Sequence, residues 1–204
     1  MHHLGTRAVT RLSFLRAGAA AVAGAPILAA TPAAARFGPA PVGDDIAWIQ
    51  LLATAELVNL ALLDRAADVP GLTGRDRAHL RAWRAADAEH LKRLRYPLQD
   101  EAPRKDDFEI VLPRGALASR RAFADAAIAL KQLVVGAALD GSAFAKDSGT
   151  RLLLARIAAG ESEQLAGLQR LGGRPPRAGA LPASLDLQAA GTRLDAYLVS
   201  TVPS

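Results

Sequence analysis

The chain contains no cysteine. That absence excludes disulfides, iron–sulfur clusters, thiolate zinc sites and cysteine nucleophiles. It leaves the compartment open, because a protein without thiols is chemically safe in oxidising and reducing surroundings alike. Aromatic residues make up only 4% of the chain, and β-branched residues are sparse outside short clusters. Little therefore argues for strands. Half of the 204 residues are apolar, mostly Ala and Leu, which with Arg are strong helix formers. The length suffices for one domain with a real core, and the fold class to expect is all-α.

The net charge of +5 invites a nucleic-acid reading, but its distribution argues against one. Residues 1–35 carry Arg7, Arg11 and Arg16 and no acid; without them, 22 basic residues face 20 acidic ones. No basic run interleaved with aromatics remains, so no nucleic-acid partner is expected.

Residues 1–35 read as a signal peptide. The three arginines form a basic start, residues 17–30 (AGAAAVAGAPILAA) an apolar stretch, and Ala33-Ala34-Ala35 a small-x-small cleavage site. The apolar run is too short to span a bilayer comfortably. Arg11-Leu12-Ser13-Phe14-Leu15-Arg16 resembles the twin-arginine export motif, with Leu12 in place of the second arginine. Both that route and the general secretory route stay open. The expectation is export to the periplasm, cell envelope or exterior, with membrane contact only through an uncleaved signal. Residues 36–43 (RFGPAPVG) form a linker, and residues 44–199 the folded domain.

Four long helices follow from the apolar spacing. The first, capped by Asp44 or Asp45, carries Ile49, Leu52, Glu56, Leu60 and Leu63 and stops near Asp68. The second starts at Thr73, carries Leu80, Trp83, Asp87, His90 and Leu94, and halts at Tyr96-Pro97. Residues 97–115 form a long charged crossing loop, with a short extended piece at 108–112. The third helix spans about Ser119 to Lys146. The fourth, capped at Asp147 or Ser148, carries Leu154, Ile157, Glu161, Gln164, Leu168 and Leu171 and ends at Gly172-Gly173. Residues 184–199 form a shorter fifth helix.

Each long helix has one polar or charged residue at mid-length on its apolar face: Glu56, Asp87, Lys131 and Glu161. Three residues on, along the same face, stand Asn59, His90, Val134 and Gln164. Glu56 and Asp87 are 31 residues apart, and Lys131 and Glu161 are 30 apart. In two antiparallel hairpins, these spacings bring all four to one level at a rise of about 1.5 Å per residue. A lone charge in an apolar core costs several kcal/mol or more, so four at one level point to mutual support. The alternative phase would leave them on solvent faces, like Glu89 and Glu163.

This pattern resembles the ferritin-like superfamily, whose di-metal members place a Glu on one helix and Glu-x-x-His on the next, then repeat the pair. The segments ATAELVNLALLDRA, AADAEHLKRL, LVVGAALDG and LLLARIAAGESEQLAGLQRLGG are similar to those of bacterial ferritin-like domain proteins that carry an export signal. The resemblance implies an antiparallel four-helix bundle with a long crossing loop between helices 2 and 3. It implies metal-ligand positions at Glu56, Asp87, His90 and Glu161. Lys131 stands where the third helix normally supplies Glu, Gln164 where the last His is found, and Ala138 where a Tyr is common. Half of the site is thus kept. Two divalent ions would bring four positive charges into the core and need about four carboxylates and two imidazoles. Lys131 is a donor only. It is expected to replace metal in a buried cluster with Glu56, Asp87 and Glu161, with His90, Asn59 and Gln164 completing the hydrogen bonds.

The resulting expectation is an exported, non-catalytic structural, stress-related or binding module with a degenerate site and no cofactor. Two alternatives stand beside it: an iron or manganese protein, or weak oxidase, with one or two ions; and a small-molecule binder using a cavity at Ala137 and Ala138. A homo-oligomer is compatible with each. Serine-hydrolase chemistry lacks an elbow around Ser142 or Ser148, and no Gly-rich phosphate loop is visible.

Overall fold

The computed structural model describes residues 44–175 and 181–200. The expected export segment 1–35 and linker 36–43 lie outside these residues. Four long helices dominate: α1 (Asp44–Asp64), α2 (Gly74–Leu98), α3 (Arg120–Phe144) and α4 (Ser148–Leu171). A short helix, α5 (Leu187–Asp195), and two three-residue strands, β1 (Phe108–Ile110) and β2 (Leu198–Ser200), complete the element order. The described protein is mostly helical, with little sheet.

Local chemistry fixes the helix starts. Thr73 and Asp76 form a reciprocal capping box at α2: Thr73 Oγ1 accepts from Asp76 N at 3.1 Å, and Thr73 N donates to Asp76 Oδ2 at 2.9 Å. Ser119, Asp147 and Asp186 cap α3, α4 and α5 by accepting from Ala122 N, Thr150 N and Ala189 N. Asp45 does something else. Its fully buried carboxylate accepts from Lys146 N and Asp147 N, each at 2.8 Å, tying the start of α1 to the α3–α4 turn. That capture also ends α3 at Phe144, short of the expected Lys146, because the turn's N–H groups are drawn to Asp45.

Two other boundaries differ from the sequence reading. Helix α2 runs through Pro97 to Leu98. Proline's fixed φ is compatible with a last helical turn, and Leu98 is drawn onto the core. Gln99, at φ 50°, then ends the helix. The C-terminal helix covers only residues 187–195, because Leu198–Ser200 turns into strand and pairs antiparallel with β1, Ile110 opposite Leu198. The pair fastens the crossing segment to the C-terminal end of the domain.

Neighbouring helices run in opposite directions, as their contacts show. Along α1 and α2, His90 faces Glu56 and Arg84 pairs with Asp64. Along α3 and α4, Lys131 meets Glu161, while Gly141 abuts Leu154. Along α2 and α4, His90 lies by Gly160 and Trp83 by Gly167. The helices therefore run up, down, down, up, and residues 99–119 carry the chain from one end to the other. The α1 segment from Leu52 to Asn59 is buried on every side, a broader burial than one apolar stripe. The reason is α5, which packs on both α1 and α3. Leu185 sits against Gly136, and Gly191 faces Leu51.

Candidate functional site

The structure brings Glu56, Asp87, Lys131 and Glu161 together in the middle of the four helices, all essentially without solvent exposure. One residue comes from each helix. Each sits among apolar neighbours one turn away, such as Leu52, Leu91, Ile128 and Ile157, so none has water as an alternative partner. His90, Asn59 and Gln164 join them from the following turn of α2, α1 and α4.

Lys131 Nζ is the hub. It donates to Asp87 Oδ2 at 2.7 Å and lies 2.5 Å from Glu161 Oε2. It makes no direct ion pair with Glu56. His90 is the second cation. Its Nδ1 lies 3.0 Å from Glu161 Oε1 and 3.4 Å from Glu56 Oε1. Gln164 Nε2 donates to Asp87 Oδ1 at 2.7 Å, and Asn59 Nδ2 makes a longer bond to Glu56 Oε2 at 3.4 Å. Glu161 thus bridges both cations, and Asp87 joins Lys131 to Gln164.

Electrostatics follow from this wiring. Burial would raise the Glu161 carboxyl, but the Lys131 charge and the bonds from His90 and Lys131 outweigh it and hold it below the ordinary range. Burial would lower the Lys131 ammonium, yet Glu161 and Asp87 push it above its usual value. Burial opposes the His90 imidazolium in the same way, and its contacts with Glu161 and Glu56 win, raising it to about 9. Asp87 is raised by burial, against the pull of Lys131, to about 7. Burial and the neighbouring Glu161 raise Glu56. Two cations therefore face one firm carboxylate and two acids that hold their protons more tightly than usual, which keeps the buried cluster near neutrality.

Glu56, Asp87, His90 and Glu161 each offer one donor atom within 4.8 Å of the others. As a set they do not fit a di-metal centre. Three carboxylates and one imidazole fall short of the charge and ligand count two divalent ions need. The Lys131 ammonium also occupies the lone pairs of two of the three carboxylates. Glu56 Oε1 alone among the donor oxygens accepts no hydrogen bond and has no lysine beside it.

His79, Glu89 and Glu163 are exposed, and Trp48 is buried in the core. Ala137 and Ala138, expected to border a cavity, are fully buried in α3. A groove of about 800 Å³ lies elsewhere, on the seam between α2 and α4, with His90 and Gln164 in its lining. None of the expectations from the sequence places it. The available signal was Gly160 and Gly167, two glycines seven residues apart in a helix, where each costs about 1 kcal/mol against Ala. The cap expected at Asp45 matches its bonding type and not its partners.

Comparison with protein-family models, curated proteins and solved structures finds no match for this chain.

Proposed function

We propose that this is an exported ferritin-like four-helix bundle in which an ammonium and an imidazolium take the place of two metal ions, leaving a non-catalytic structural or binding module. One observation carries the reading: Lys131 Nζ lies within 2.7 Å of both Asp87 and Glu161, from the helix where a fourth carboxylate would be needed. The up-down-down-up order and the 99–119 crossing support the ferritin-like part, since that family joins its two hairpins by a long crossover. The arginines and apolar run within residues 1–35 support export. No redox or hydrolytic step is assigned to the cluster: its carboxylates are engaged by lysine, imidazole and amide, and no nucleophile stands among them.

Exchanging the hub tests this reading. Lys131→Glu restores a fourth carboxylate and removes the internal cation. The expected outcome is a lower melting temperature in the metal-free state, recovered when Mn(II) or Fe(II) is added. Melting and metal uptake both identical to the parent protein would contradict it.

A second reading is favoured by Glu56 Oε1, which accepts no hydrogen bond and has the His90 Nδ1 3.4 Å away. With His90 deprotonated, Glu56, His90 and Glu161 could hold a single iron or manganese ion on the side away from Lys131. One ion per chain, lost in His90→Gln, would support it.

A further inference from the structure

The groove between α2 and α4 has the volume of a ligand pocket, about 800 Å³ against a usual range of about 300–1,000 Å³. Its walls have distinct chemistries. On one side the Trp83 indole lies against the α4 backbone at Gly167, where even a methyl group would collide with ring atoms Cζ2 and Cη2. The His79 ring stands 6.1 Å from the indole, tilted by 32°. The two rings form an aromatic wall, and the approach of the indole to α4 depends on the missing side chain at position 167.

Charge also lines the groove. Arg75, Arg120 and Arg170 line the groove with only Asp76 and Glu163 as acids. Asp76 is engaged by Arg120 at 3.6 Å. Neither Arg75 nor Arg170 has an ion-pair partner among the described residues. Arg120 Nε is buried and makes no hydrogen bond.

The floor is polar and incompletely paired. Gln164, only 4% exposed, commits its Nε2 to Asp87 and leaves Oε1 buried with no donor. With Asp87 ionised, an amide flip would set Oε1 against the Asp87 oxygen. Beside it, His90 turns Nδ1 to the carboxylates and its Cε1–Nε2 edge toward Gly160. A buried acceptor without a donor costs about 1–3 kcal/mol, a deficit that a donor entering the groove would remove.

We infer that this groove binds a small, flat aromatic acid, with its ring against Trp83, its carboxylate at Arg120 and Arg170, and a hydroxyl or N–H donor directed to the Gln164 floor. Each part answers a separate feature: an aromatic ring, the unpaired Arg170 guanidinium beside an Arg120 held to Asp76 only at 3.6 Å with its Nε unbonded, a pair suited to a carboxylate, and an orphaned acceptor. The ring and arginine contacts do not depend on whether Lys131 replaces metal; the Gln164 contact rests on that reading, since Gln164 is bonded to Asp87.

The test is calorimetric titration of the full chain with 6-hydroxy-2-naphthoate, alongside the uncharged naphthalene-2,6-diol. Saturable binding of one naphthoate per chain is expected, with the diol weaker by roughly tenfold or more, the loss of one charge-assisted contact. Arg120→Gln with Arg170→Gln should remove that preference while leaving diol binding in place. Trp83→Leu should weaken both ligands. Because Arg170 is exposed, Arg170→Gln alone serves if the double variant does not fold. No saturable heat with the parent protein, equal affinity for acid and diol, or an unchanged preference in the arginine variants would each overturn the inference.

Discussion

Lys131 is almost fully buried, and its charge is met by two carboxylates at hydrogen-bonding distance. Removing one partner from such a network leaves the others as uncompensated buried charge, a loss of about 3–5 kcal/mol. Lys131→Ala should therefore be among the most destabilising single changes in the domain, read as a lower urea midpoint; a midpoint near the parent's would mean that the ammonium is dispensable. Titration offers a second test. His90 is raised from 6.5 to about 9, so its contribution is fully present below pH 6.5 and is lost as pH rises through 9. Asp87, raised from 3.8 to about 7, acts in the same sense, its contribution fading as pH rises from about 4 through 7. Glu161 is depressed and opposes this only in acid, where its contribution is lost as pH falls below the ordinary carboxylate range. Melting temperature should fall from pH 6 to pH 9, and His90→Gln should flatten the part above pH 6.5. A parent protein whose melting rises or stays level over that interval would contradict the wiring of His90. At this scale the sequence was informative, because charges inside an apolar stripe are visible without coordinates. Which carboxylate Lys131 would choose was not, since contact with Asp87 and Glu161 rather than Glu56 depends on side-chain reach across the core.

The helices themselves were legible to within a few residues where capping chemistry is local. Thr73, Ser119 and Asp147 bond to N–H groups three residues ahead, and such bonds can be read from the chain alone. Misplaced ends arise where a distant group intervenes. Asp45 reaches across about a hundred positions to the α3–α4 turn, and β2 exists only because β1 lies alongside it. Asp45→Ala leaves two N–H groups without their acceptor at the edge of the core. Each such loss costs about 1–3 kcal/mol, so melting should drop by several degrees, at about 2–4 °C per kcal/mol for a domain of this size. Melting equal to that of the parent would show that water or another group takes over the bonds.

The placement of the four central residues at one level follows from the matched spacings of the two hairpins, a property of the molecule rather than of any helix. What the spacings could not supply is which helices become neighbours. Lys131 pairs diagonally with Asp87 because α2 and α3 run in the same direction on opposite corners, a consequence of the long 99–119 connection. Nor could they show that α5 would close the seam of α1 and α3, covering Gly136 with Leu185 and burying Ala190 and Leu194. Deleting residues 181–204 should therefore lower the melting temperature and speed amide hydrogen exchange around Gly136 in α3, with the α2 and α4 centres affected less. Uniform exchange across all four helices would instead mean that the C-terminal segment holds the whole domain together. The claim that two protein cations stand in for two metal ions is tested most directly by metal stoichiometry and melting of the domain after loading with Fe(II), Mn(II) or Zn(II) and removal of free ion. The account predicts far less than one ion per chain and an unchanged melting temperature. About two ions per chain with a raised melting temperature would contradict it.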